Sequence, residues 1–194
     1  MILIGSALEN SPVMSLQTGA ELARTKRPII NPANLGIIAY ELEGPLLDQT
    51  PSLLRIADVR ELSDLGFIVD SSDEFVKPDD VIKIQEVYNL HFNLIGMSVT
   101  DEKNSKLGKI TDFTLDTSGF IIQQLTVRRP LIRSLNDTEL VIHRTQIIEI
   151  NDNSIVVHSQ AKVPEPEAHE VVGSYINPFR KSETANESVS RSKR

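Results

Sequence analysis

Apolar and polar positions alternate on a strand-like period through much of the second half of the chain. In residues 109–116, Ile110, Phe113 and Leu115 are set among polar neighbours, the pattern of a half-buried strand. Asp116-Thr117-Ser118-Gly119 then reads as a tight turn, and residues 120–127 as the returning strand of a hairpin. Upstream, residues 94–100 form an apolar strand that opens into the polar turn 101–105. Downstream, residues 139–143, 147–150 and 154–158 are three short strands, with Asn151-Asp152-Asn153 as the turn between the last two. Five or six short strands in so little chain bury one face by curling into a small barrel. A different period appears at Val81, Ile84 and Val87, spaced three apart and joined by Tyr88 on one stripe. Pro78 ahead of Asp79-Asp80 marks its start, which predicts a helix over 79–89.

The chain also repeats itself. Met14-Ser15-Leu16 precedes Met97-Ser98-Val99 by 83 residues, and Gly36-Ile37-Ile38 precedes Gly119-Phe120-Ile121 by the same offset. Residues 57–62 match 145–150, and Phe67-Ile68-Val69 matches Ile155-Val156-Val157, at an offset of 88. Identities are few, but order and apolar positions agree, as expected of two diverged copies of one unit. The predicted fold is therefore all-β: two tandem small β-barrels joined by a short helix, followed by a disordered C-terminal tail. Boundaries fall at 1–75 for the first barrel, 76–91 for the helical linker, 92–162 for the second barrel and 163–194 for a Pro/Glu exit and basic tail.

Composition narrows the functional classes. With no Cys, the chain has no disulfide, thiolate metal site or Cys nucleophile. Its apolar runs are far shorter than the ~20 residues that span a bilayer, and its first residues lack a basic n-region, so a cytoplasmic address is expected. Net charge is −7, but residues 174–194 hold five basic and two acidic side chains and carry +3, leaving −10 on the rest. An acidic body disfavours nonspecific binding to nucleic acid or anionic membrane.

The runs Leu94-Ile95-Gly96-Met97-Ser98-Val99, Lys106-Leu107-Gly108-Lys109-Ile110-Thr111-Asp112, Asp116-Thr117-Ser118-Gly119 and 140–150 resemble a PRC-barrel domain. That family shares a small β-barrel with the cytoplasmic domain of the photosynthetic reaction-centre H subunit and with the C-terminal domain of a small-subunit ribosome maturation factor. The resemblance covers residues 94–158 and, more faintly, 13–70, where Leu22-Ala23-Arg24 stands in place of Leu107-Gly108-Lys109. It implies an adaptor-like barrel that binds other proteins and brings no catalytic residues with it.

The residues themselves offer little chemistry. His91, His143, His158 and His169 form no HxH or HxxxH pair, the glycines are scattered singly, and no Ser sits in a nucleophile elbow. No catalytic residue, cofactor or metal is expected. Two features stand apart. Arg128, Arg129 and Arg133, with Lys103, Lys106 and Lys109, are candidates for one basic patch facing an acidic partner or RNA, set against the plainer reading of a solvated loop rim. Tyr175-Ile176-Asn177-Pro178-Phe179 is an apolar island in a polar stretch and a candidate docking motif. The expected function is a non-enzymatic adaptor or scaffold for protein partners of unspecified identity; an RNA- or ribosome-associated maturation factor is the alternative.

Overall fold

The computed structural model of the chain describes residues 1–129 and 138–158. It is mostly β, with one α-helix, and its strands join into a single sheet whose pairing path is open. In chain order the strands are β1 (Ile2–Ile4), β2 (Pro12–Ser15), β3 (Glu21–Asn31), β4 (Gly36–Glu43), β5 (Ser52–Arg55), β6 (Glu61–Ser63), β7 (Gly66–Val69) and β8 (Phe75–Val76). Helix α1 (Ile82–Asn89) follows, then β9 (Ser98–Asp101), β10 (Lys106–Asp116), β11 (Ile121–Arg128), β12 (Glu139–His143), β13 (Ile147–Ile150) and β14 (Ser154–Val157).

Two sets of six strands share one pairing scheme. In the first half β2–β3, β3–β4, β4–β5 and β6–β7 are antiparallel while β2 and β7 are parallel. In the second half β9–β10, β10–β11, β11–β12 and β13–β14 are antiparallel while β9 and β14 are parallel. Register fixes the equivalences. Ile30 faces Ile37 and Leu115 faces Ile122, so β3–β4 maps onto β10–β11 at an offset of 85. Both hairpins carry register shifts at matching places, Thr25/Arg27 against Ile110/Asp112 and Ile29/Ile30 against Thr114/Leu115. The offset read from the sequence, 83, is two residues short for these hairpins and three short for β2 against β9, where Met14 corresponds to Thr100 rather than Met97; the offset of 88 for the later strands agrees with β6–β7 and β13–β14. A two-residue slip leaves every side chain on its original face, so alternation cannot detect it.

The halves join through β4 and β11, where Gly36 pairs with its own equivalent, Ile121. Ile37 N–H donates to Phe120 O (2.8 Å) and Ile122 N–H to Leu35 O (3.0 Å), a reciprocal and self-complementary junction. Each half is also completed by chain belonging to the other. β1 pairs with the end of β10, Leu3 opposite Leu115, while α1 lays Ile84 against Ile29, Ala39 and Leu53 of the first half, flanked by Val81, Val87 and Tyr88. The predicted apolar stripe is thus the packed face of α1. Pro78 begins a 3₁₀ turn, Pro78–Asp80, and the α-helix proper starts after it.

One large hydrophobic cluster contains residues of both halves, from Val13, Tyr40 and Phe67 to Phe113, Phe120 and Ile155. Phe67 lies 5.2 Å from Tyr40 and 6.3 Å from Phe120 between ring centroids, carrying aromatic packing across the junction. Phe113 and Leu115, both buried, hold the core positions that the alternation assigns them. Among the described residues no helix is long and apolar enough to cross a membrane.

Candidate functional site

The basic residues singled out in the sequence converge where the start of β10 meets the end of β11. Lys109 faces Ser98 of β9 on one side and Arg128 of β11 on the other, and Arg128 in turn faces Glu139 of β12. Directly opposed residues of a sheet share a face, so this row lies on one surface. Lys106 and Lys109 are three apart and would point to opposite faces of a regular strand. A register shift between Lys106 and Gly108 bulges the strand and returns Lys106 to the same side. Arg129 follows, its N–H tied to Thr138 O at 2.8 Å.

These four cations line a groove of about 610 Å³ together with Ile95, Gly96, Ile110 and Thr111. Ile110 is buried, whereas Ile95 is 37% exposed and offers an apolar contact to whatever enters. Gly108 makes the geometry feasible. A Cβ there would lie 2.1 Å from Arg128 O, and its φ of +155° is one that side chains other than hydrogen rarely adopt. The strands therefore approach closely enough to set Lys109 beside Arg128. Among the described residues none of the four cations forms an ion pair within 4 Å. Glu139, although opposite Arg128, does not close on it. Among the described residues, the groove presents uncompensated positive charge beside the exposed Ile95.

Of the six basic residues, four thus line one groove. Lys103 does not join them: it sits on the β9–β10 turn, where its N–H donates to Asp101 Oδ1 (2.9 Å). Arg133 and the segment Tyr175, Ile176, Asn177, Pro178 and Phe179 lie outside the described residues. Sequence reading missed the lining residues Ile95 and Ile110 and the place of Gly108, which become visible only once register sets β9, β10 and β11 side by side.

The other polar groups have local structural work. Asp101 Oδ1 accepts the N–H groups of Lys103 and Ser105, the latter at 2.8 Å, and the Ser105 bond above all holds its carboxyl below the ordinary range. Asp80 accepts Lys77 N–H (2.7 Å) at the helix approach. His143 Nδ1 accepts Thr145 N–H (3.3 Å) to cap the turn before β13, and His158 Nδ1 lies 2.7 Å from Glu102. Among the described residues no three His, Cys, Asp or Glu side chains gather as a metal site.

Comparison with protein families matches this half of the chain, from α1 past β14, to a single description. Residues 86–163 match the PRC-barrel domain family. The groove lies wholly within that match, since every residue lining it falls between 86 and 163. No curated protein matches the chain.

Proposed function

We propose that this protein is a non-enzymatic adaptor of two diverged PRC-barrels in tandem, and that the groove of the second barrel is its partner-binding surface. The common pairing scheme of the two halves supports the tandem reading. The convergence of Lys106, Lys109, Arg128 and Arg129 around the exposed Ile95 carries the functional one. Cations at an apolar groove favour a partner that supplies both negative charge and side chains to cover Ile95. The plainer alternative, a solvated rim, accounts for the charges but not for their gathering on one face by the bulge before Gly108.

Affinity capture with the full chain and with a Lys109→Glu/Arg128→Glu variant tests the reading. Both residues are exposed, and an unchanged circular dichroism spectrum shows that the variant folds. Capture of a protein partner that survives nuclease treatment and disappears with the variant is expected. A partner released by nuclease would promote the RNA-associated alternative. Capture unaffected by the variant would move the binding surface elsewhere.

A further inference from the structure

The first half contains the same groove with its charge inverted. At the offset of 85, Lys106, Gly108, Lys109, Arg128 and Arg129 correspond to Glu21, Ala23, Arg24, Glu43 and Gly44. The bulge is repeated as well: Met14 faces Glu21 and Val13 faces Ala23, as Thr100 faces Lys106 and Val99 faces Gly108. Glu21, Leu22, Ala23, Arg24, Glu43 and Gly44 line a groove of about 470 Å³ with Pro45 and Leu46, so the equivalents of the five residues again border one groove, with Leu22 and Leu46 as its apolar lining. The electrostatics differ. Arg24 is held by Glu21, Nε to Oε1 at 2.8 Å, and Glu43 faces it from β4. Four cations that form no ion pair among the described residues thus stand in one groove against one neutralised arginine and a second carboxylate in the other.

We propose that the basic groove takes an extended acidic polypeptide segment with interspersed apolar residues, and that the equivalent groove of the first half rejects the same segment by charge. This rests on the adaptor reading and names its partner chemistry. Lys109 and Arg128 are cross-strand neighbours roughly 5 Å apart, and Lys106 lies about 7 Å along the strand from Lys109, because the bulge sets them opposite Thr100 and Ser98, two residues apart at ~3.3 Å each. An extended peptide places every second side chain on one face about 7 Å apart, so a face that carries both carboxylates and a leucine reaches the cations and Ile95 together. A nucleic acid gains phosphate contacts but no stacking, because the groove lining contains no aromatic ring.

Isothermal titration of the full chain with the peptide Glu-Glu-Leu-Glu-Glu-Leu-Glu-Glu, its Gln-for-Glu counterpart and a ten-residue oligouridylate tests this. One acidic peptide per chain is expected, with affinity falling at least about tenfold in Lys109→Glu/Arg128→Glu and no binding of the Gln peptide. The first groove supplies the second arm. Glu21→Lys/Glu43→Arg changes two exposed residues and should raise the stoichiometry from one peptide to two. A stoichiometry that stays at one would overturn the equivalence of the grooves. No binding of the acidic peptide, while a captured partner still requires Lys109 and Arg128, would overturn the acidic-segment inference and leave the groove reading intact. Binding that persists in Lys109→Glu/Arg128→Glu would overturn both. Oligouridylate bound more tightly than the peptide, through the same two residues, would make the occupant a nucleic acid and overturn the proposal.

Discussion

Leu35 and Phe120 are each other's counterpart across the junction of the two halves. Both are buried, both have left-handed backbone (φ 56° and 49°), and each carbonyl accepts an N–H from the opposite half. A left-handed residue with a side chain costs about 1 kcal/mol or more unless glycine takes the place. The burial of two large side chains at the centre of the shared core offsets that cost.

Replacement of Phe120 separates the two effects. Phe120→Ala should lower stability by about 3–5 kcal/mol through loss of buried ring. Phe120→Gly should be no worse than Phe120→Ala, because relief of the left-handed strain offsets the greater freedom of glycine in the unfolded chain. Denaturation midpoints read both. A glycine variant weaker than alanine by 1 kcal/mol or more would show that the backbone there is unstrained.

Gly5 and Phe113 form a second link between sequence-distant parts. A Cβ on Gly5 would lie 2.5 Å from Phe113 Cζ, and the ring, only 3% exposed, has little room to retreat. Gly5→Ala should cost about 1–3 kcal/mol by overpacking. Thermal melting gives the result, and an unchanged transition would show that the N-terminal segment does not clamp β10.

Tyr40 is a hydrophobic core residue that happens to carry a hydroxyl. That oxygen is buried with no hydrogen-bond partner among the described residues, and burial, reinforced by Glu9, pushes its pKa well above the ordinary value. Tyr40→Phe removes an unsatisfied polar atom and keeps the ring on Phe67. Stability should be unchanged or higher by up to about 1 kcal/mol. A clear loss of stability would reveal an unseen partner for the hydroxyl.

Glu41 should make the protein acid-sensitive. Burial alone would raise its pKa, but hydrogen bonds from Lys26 Nζ (2.9 Å) and Arg27 Nε (2.6 Å) outweigh it and hold the carboxyl below its ordinary value of 4.5. A depressed folded-state pKa gives stability that is present above the unfolded value and lost as pH falls through the folded one. Asp70, held down by Arg60, and Asp116, held down by Ser118, act in the same direction. Denaturation midpoints should therefore be level from pH 7 to about 5 and fall below about pH 4. Glu41→Gln should flatten part of that fall. An identical acid profile in the variant would assign the sensitivity to other carboxylates.

How much of this was legible in the sequence depended on whether a feature lives in alternation or in register. Phe113 and Leu115 as core, the stripe of α1, the bounds of β12 and β13 and the repeat itself follow from local periodicity. Gly36 aligned with Gly119 rather than Ile121 because a two-residue slip preserves faces and glycine matches glycine. The pairing of Ile2–Ile4 with the end of β10 was beyond reach, since three apolar residues carry no address for a partner more than 100 positions away. The basic residues were visible as a cluster. Their gathering by the bulge before Gly108, and the inversion of charge at Glu21 and Glu43, required the pairing of strands.

The most direct test of the account locates the binding surface on the folded chain. Methyl NMR of the full protein titrated with the Glu/Leu peptide reports on both grooves at once, through Ile95 and Ile110 in one and Leu22 and Leu46 in the other. The account predicts shifts that saturate at Ile95 and Ile110, with Leu22 and Leu46 unmoved. Shifts at Leu22 and Leu46, or none at Ile95 and Ile110 despite binding, would contradict it.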